Sequence, residues 1–377
     1  MNVLFVVYRE LIEGVGITKK IKSQCDALVS NGCRVDLHYY KKDQSGNFGS
    51  YINGQLIENY GNRKILVSLK TRLNRKNIIE YIISHEIRIV YLRYEFMADY
   101  VFLRFLEKLK NTGVSIIIEI PTFPYDFELK PRNFIARFYN SIERRCREKM
   151  YRYVDRVLTY SDDEYIFKIP TIRISNGIDF GNIPLKKNSQ SKKELVCIGV
   201  ANLGFWHGYD RLIRGIKAYV DSSNNDIQVS FCIIGDGDMT YKNSLVDLVD
   251  ELGLSEYVKF FGNMDGENLT RLFDRADLAI GSLGRHRSGI VNLKSLKNVE
   301  YAARGIPFVY SENDANFDEK DYILKVPADE SPVDINKLIS FYKSENWSTI
   351  GIRESVEGTL SWNKQMKKVV QSILKIN

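Results

Sequence analysis

Four stretches of this 377-residue sequence place charged residues, a histidine or glycines where a strand gives way to a helix. In open parallel sheets those are the loops that bind ligands. Gly289 to Pro307 carries the richest set. Ser295 reads as a helix N-cap, and Gly305-Ile306-Pro307 ends the helix and opens a strand. Backbone amides at such a helix start, with Lys294 and Lys297 beside them, suit a diphosphate. Glu300 lies inside the same helix, where a carboxylate can reach the ribose hydroxyls of a bound nucleotide. Gly199 to Ile213 is a second strand-to-helix junction and holds Asn202, His207 and Gly208. The plain reading of His207 is a surface-loop histidine. In the third stretch, Cys232 to Asp238, Asp236 and Asp238 form an Asp-x-Asp pair that could hold a divalent metal with a sugar nucleotide. Turn chemistry is the preferred reading, because no further acidic ligand accompanies the pair. The fourth, Gly14-Val15-Gly16-Ile17-Thr18, precedes a helix containing Ile21, Cys25 and Leu28. Its glycines let backbone approach a ligand, and Thr18 can cap the helix. It lacks the third glycine of a dinucleotide fingerprint.

These loops need a scaffold of parallel strands. Short apolar runs supply candidates at Val3–Val7, Arg34–Tyr39, Ile89–Leu92, Ser115–Ile120 and Arg156–Thr159. A second set follows at Glu194–Val200, Gln228–Ile234, Val258–Phe261, Leu278–Gly281 and Pro307–Tyr310. Runs without alternation indicate strands covered on both faces. Intervening amphipathic stretches indicate right-handed crossovers. The pattern runs twice, so two doubly wound α/β domains are expected, residues 1–175 and 176–360. A final helix at about 361–377 is expected to pack back on the first.

The length suits two domains. Five cysteines match neither a disulfide framework nor a zinc site and fit a reducing compartment. No segment approaches the roughly 20 apolar residues of a membrane span, and the opening apolar run is too short for a signal-peptide core. A cytosolic protein is expected. The net charge of +7 is concentrated: Lys130 to Arg156 holds nine basic and three acidic residues. Ile135, Phe138, Ile142, Cys146, Met150 and Tyr153 recur there at helical spacing and make one face, expected to pack inward. A solvated structural helix is one reading. The other is peripheral contact of Arg144, Arg145, Arg147 and Arg152 with anionic headgroups. No nucleic-acid-binding motif accompanies the charge.

In order and spacing the strings Ser175-Asn176-Gly177-Ile178-Asp179, Trp206 to Ile213, Ile234-Gly235-Asp236-Gly237, Val258 to Asn263, Glu300 to Pro307 and Leu360-Ser361-Trp362 resemble family 4 glycosyltransferases. The resemblance covers most of the chain and is strongest from Ser175 onward. It implies a GT-B fold, two Rossmann-like domains facing a cleft, and retention of anomeric configuration without a metal or other cofactor. It places the donor against Asn202, Gly208, Gly235, Asp236, Asn263, Asn292 and Ser295, with Glu300, His207, Lys294 and Lys297 in catalytic roles. Gly14, Gly16, Glu119, Thr122 and Tyr125 fall on the acceptor side. Three departures stand out. Asn292 replaces the first of two family glutamates, Asn202 and His207 stand where the family has a phosphate-binding Arg and Lys, and Glu119 to Asp126 shows no counterpart of the acceptor-domain histidine.

The expected activity is sugar transfer from a nucleoside diphosphate to a glycan or lipid-linked oligosaccharide of a bacterial surface polysaccharide, at the inner face of the plasma membrane. The lost Arg, Lys and Glu motivate a rival, a catalytically silent sugar-binding partner subunit. A sugar-nucleotide epimerase of the same fold is a third reading.

Overall fold

A computed structural model of the chain describes residues 1–13, 15–73, 75–126, 134–187, 193–222, 226–344 and 346–375. Gly14 lies outside the described residues, as does the start of the basic stretch, 130–133. The chain forms two units, Met1–Ile174 with Trp362–Asn377, and Ser175–Ser361.

The first unit runs β1 (Asn2–Glu10), α1 (Gly16–Ser30), β2 (Arg34–Lys42), β3 (Phe48–Ile52), β4 (Gln55–Gly61), α2 (Lys64–Leu73), α3 (Lys76–Ser84), β5 (Ile89–Arg93), α4 (Tyr100–Asn111), β6 (Ser115–Ile120), α5 (Phe134–Arg147), β7 (Arg156–Thr159), β8 (Tyr165–Ile166) and β9 (Ile169–Arg173). Its strands lie in the order β4-β3-β2-β1-β5-β6-β7-β9-β8. The centre is parallel, while β3, β4 and β8 add antiparallel edges. Every residue of β5 and β6 is buried, for a physical reason visible in two cores. Leu4, Val6, Val90 and Ile118 pack on one face with Phe102 and Leu106 of α4. Val3, Phe5, Tyr91 and Ile117 pack on the other with Ile21 of α1. Helices on both faces leave no wet side, so the strands read as continuous apolar runs.

The second unit runs β10 (Glu194–Val200), α6 (Tyr209–Val220), β11 (Gln228–Ile234), α7 (Met239–Glu251), β12 (Val258–Phe260), α8 (Gly266–Arg275), β13 (Leu278–Ile280), α9 (Leu296–Arg304), β14 (Phe308–Tyr310), β15 (Ile323–Lys325), α10 (Ile335–Ser344) and α11 (Thr349–Glu357). The sheet is wholly parallel, in the order β12-β11-β10-β13-β14-β15. This is the 3-2-1-4-5-6 order of dinucleotide-binding sheets, whose crevice opens where the winding reverses, here between β10 and β13. The last helix, α12 (Trp362–Leu374), belongs to the first unit and lies along α1. Trp362, Met366, Val369 and Ile373 enter the core under α1.

Candidate active site

The loops after β10 and β13 meet at that reversal in the second unit. A short 3-10 turn, Phe205–His207, leads into α6. Gly208 turns the chain at φ 62°, and a Cβ there would stand 2.6 Å from the backbone nitrogen of Gly284. Only glycine allows the two loops to touch. They are then tied together: the Leu283 N–H donates to the His207 carbonyl at 2.8 Å, and the buried Arg211 guanidinium donates to the Leu283 and Ser331 carbonyls. The turn after β11 is fixed in the same way. Gly235 sits at φ 113°, where a Cβ would collide with the Ala201 carbonyl oxygen at 1.9 Å.

Several of the expected donor residues come together here. Lys297, in the first turn of α9, donates to Ser282 Oγ after β13 at 3.4 Å. Burial and the neighbouring Arg285 charge pull its ammonium down to about 7, against the pull of Glu312. Ser295 occupies the N-cap position of α9, but its hydroxyl makes no capping bond. Its N–H donates instead to the buried Asp314 carboxylate at 3.2 Å, which burial raises to about 6. Glu300 lies on α9 with Oε1 held by Arg304 at 2.9 Å. The Lys294 carbonyl accepts from Asn176 at 2.6 Å. Asn202 is exposed on the loop after β10. Asn292 is exposed and accepts from Asn313 at 3.0 Å.

His207 requires a correction. Its ring is buried, and Nδ1 accepts the Gly204 N–H at 3.0 Å. Burial, then the charges of Lys297 and Arg285, hold its pKa well below the usual value. It is a neutral imidazole and cannot meet a developing negative charge as a cation. The Asp-x-Asp pair is also accounted for. Asp238 caps α7 by accepting from Thr240 and Tyr241. Asp236 pairs with Lys242 and exchanges bonds with Asn263, accepting its N–H at 3.2 Å. Arg285, Glu312 and Asp314 were missed in the sequence, although Ser311-Glu312-Asn313-Asp314 stands directly after a strand, where ligand-facing loops occur.

In the first unit Glu119 and Tyr125 are internal rather than acceptor-facing. Glu119 is fully buried in β6 and accepts from Tyr91 at 2.6 Å, Tyr160 at 3.0 Å and Gln24 at 3.1 Å, with Arg93 ion-paired to it and Lys20 at 3.8 Å. Burial opposes its ionisation, but Arg93 and Lys20 together hold its pKa below the usual value. Tyr125 is buried and donates to Glu143 at 2.6 Å. Thr122 is half-buried after β6, and Gly16 opens α1 with free space around it. Thr18 does not cap α1. The cap position is Val15, and the Thr18 hydroxyl is buried inside the helix.

The basic helix is likewise not as expected. Arg147 is buried, paired with Asp126 at 3.0 Å and Glu143 at 3.4 Å, and its guanidinium stacks over Tyr125 and Phe167. It is a structural residue, not a membrane contact. Arg144 is exposed but reaches Asp126, Arg145 is exposed, and Arg152 lies over the Tyr151 ring. Nor does the whole apolar face pack inward. Cys146 and Met150 do, whereas Phe134, Ile135 and Phe138 at the start of α5 are exposed and join no buried core.

Residues 183–319 match the family described as Glycosyl transferases group 1. No curated protein sequence matches the chain. Among solved structures, sucrose-phosphate synthase from Thermosynechococcus elongatus is 14% identical with a TM-score of 0.69, over 100% of this chain and 99% of its own. Anabaena HepE in complex with UDP-glucose is 15% identical, TM-score 0.63, over 99% of each chain. The lipopolysaccharide outer core galactosyltransferase WaaB is 14% identical, TM-score 0.59, over 100% of each chain. At such identities the likeness speaks for the fold. The chain thus carries a group 1 glycosyltransferase domain, residues 183–319, within a GT-B fold of two Rossmann-like units.

Proposed function

We propose that the protein transfers a glycosyl group from a nucleoside diphosphate sugar, held by the second unit, to a hydroxyl of a glycan or lipid-linked oligosaccharide. The observation that carries this is the convergence, at the reversal of a 3-2-1-4-5-6 sheet, of the α9 N-terminus with Lys297 and Arg285. Those positive groups suit a diphosphate. Glu300 on the same helix takes the ribose hydroxyls. In the reaction the bond from the anomeric carbon to the diphosphate oxygen breaks, and a bond to the acceptor oxygen forms. The acceptor proton passes to the departing diphosphate. Retention of configuration is part of the proposal, as is charge neutralisation by lysine and arginine without a divalent cation. HepE with UDP-glucose supports the donor class, and WaaB supports a surface-polysaccharide acceptor.

A membrane-bound acceptor calls for a membrane-facing surface, and α2 with α5 supplies one. No helix among the described residues is long and apolar enough to cross a bilayer. Yet α2 buries no residue and exposes Ile65, Leu66, Leu69 and Leu73 among Lys64, Lys70 and Arg72. Arg72 stacks over Tyr139 of α5 with 5.1 Å to the ring centroid, so the two exposed faces adjoin. Apolar rows edged with cations fit an anionic leaflet at the cytoplasmic face.

Thermal-shift titration with nucleoside diphosphates and their sugars tests the donor site, because a ligand of the native state raises its stability. Donor hydrolysis and transfer assays test the chemistry. Binding without any turnover would favour the silent partner subunit.

A further inference from the structure

One carboxylate near the candidate site has no visible partner. Glu312 follows β14 and is 2% exposed, yet among the described residues no hydrogen bond from another residue reaches either of its oxygens. Lys297 forms its own bond to Ser282. No ion pair joins Lys297 to Glu312 among the described residues. A buried carboxylate left this way is costly, and buried polar atoms without partners mark places that something else must fill. Glu312 is not alone. The Tyr209 hydroxyl, which feels the Glu312 charge, and the Asn298 Oδ1 are buried and unpartnered too. Tyr209, Asn298 and Glu312 stand on the loops and helix starts that follow β10, β13 and β14, the ligand side of the sheet.

The position of Glu312 is informative. Asn313 donates its N–H to the Val291 carbonyl at 2.8 Å and accepts from Leu293 N–H at 2.8 Å, while its side chain donates to Asn292 at 3.0 Å. The strip carrying Glu312 therefore runs beside residues 291–293. At 292, where the resembled family has a glutamate, this chain has asparagine. We propose that Glu312, one residue before the Asn313 that pairs with Asn292, accepts hydrogen bonds from ring hydroxyls of the donor sugar and thereby helps select which sugar is transferred. This rests on the donor site proposed above. An ionised carboxylate can only accept hydrogen bonds and repels phosphate, so its partner is a hydroxyl or ammonium group of the sugar.

Electrostatics supports the assignment. Burial pushes the Glu312 carboxyl up to about 7, against its own backbone N–H and the Arg285 and Lys297 charges, with Asp314 adding to the rise. Sugar recognition by the carboxylate strengthens as pH rises through that value. Lys297 loses its proton in the same range, but that affects the diphosphate of free and sugar-bearing nucleotide alike. The ratio of the two affinities isolates Glu312.

Calorimetric titration with UDP, GDP and ADP identifies the nucleotide, and the corresponding UDP-, GDP- or ADP-hexoses follow. For Glu312→Gln and Glu312→Leu, affinity for the free diphosphate is expected within about twofold of the parent protein. Affinity for the sugar nucleotide should fall about tenfold or more, and kcat/KM for donor cleavage about 100-fold. The ligand-free melting temperature should hold or rise, since an unpartnered buried charge has gone. The parent's preference for sugar nucleotide over free diphosphate should grow from pH 6 to pH 8 and be flat in both variants. The inference is overturned if the variants bind and cleave sugar nucleotides like the parent, if they lose free diphosphate equally, or if they lower the melting temperature, as removal of a structural buttress would. If the parent binds no nucleoside diphosphate at all, the donor site itself is refuted, and the inference with it.

Discussion

Each unit buries a glutamate at or just beyond the carboxyl end of a central parallel strand, and the two are treated in opposite ways. Glu119 in β6 is surrounded by Arg93, Lys20, Tyr91, Tyr160 and Gln24. Glu312 beyond β14 receives no hydrogen bond from any other described residue. The same residue type in similar burial thus does two jobs. A satisfied network locks α1, β5, β6 and the end of β7 together, and its carboxylate is architecture. An unsatisfied buried carboxylate costs the folded state stability, and in the inference above it answers to the donor sugar. Satisfaction of the group, rather than burial or sequence motif, separates scaffold from site.

The sharpest way to break this contrast is Glu119→Leu. It strands Arg93 and Lys20 inside the first unit, and we expect a loss of about 3–5 kcal/mol, read by denaturant unfolding followed through probes in that unit. Nucleotide affinity of the second unit should be unaffected. A loss below about 1 kcal/mol would mean that the network is not structural. Because the Glu119 pKa is depressed in the fold, its contribution is present above the unfolded value of about 4.3 and disappears as pH falls through the lower folded value.

Arg147→Gln extends the test to a second satisfied group. The guanidinium between Asp126, Glu143, Tyr125 and Phe167 should cost about 2–3 kcal/mol to remove. The exposed Arg145→Gln should fall within about 0.5 kcal/mol of the parent. Equal effects on melting would erase the distinction drawn along α5. On the site side, Glu300→Gln should weaken nucleoside diphosphate binding by about 1.5–3 kcal/mol, the range for a hydrogen bond to a charged group. Unchanged affinity in titration calorimetry would remove Glu300 from the site.

The smallest effect expected at the site is on pH. With Lys297 lowered to about 7, its charge is present below that value and lost above it, so affinity for a nucleoside diphosphate should decline about tenfold between pH 7 and pH 9. Lys297→Met should flatten the profile. His207, neutral throughout, should contribute nothing. A midpoint near 6.5 that vanishes in a His207 variant would contradict the neutral imidazole.

The doubly wound sheets were legible because strands covered on both faces must be apolar throughout. Ser115–Ile120, Glu194–Val200 and Gln228–Ile234 fall on their expected bounds. The hairpin of β3 and β4 was missed, although its Asn53-Gly54 turn, with φ of 49° and 87°, is a strong hairpin signal. Its second strand, β4, buries only Tyr60, and glycine and serine interrupt the apolar residues of β3. The helix that carries Lys297 and Glu300, and the glycine turns, were legible as local structure because their spacing along one helix or loop is local. Glu312 was not, since its meaning depends on a strip paired with residues 291–293. The burial of Glu119 was equally hidden: Gln24 and Lys20 lie about 95 residues away along the chain.

One further consequence follows from α12. The first unit is assembled from both ends of the sequence, with Asn31 donating to the Asn363 carbonyl at 3.1 Å and Trp362 seated in the core beneath α1. The second unit is continuous. The second unit can therefore close without α12, whereas the first, although made earlier, cannot. Until α12 emerges, the apolar side of α1 that it covers stays wet. Chains truncated after Ser361 should hold a native second unit beside a first that still engages chaperones.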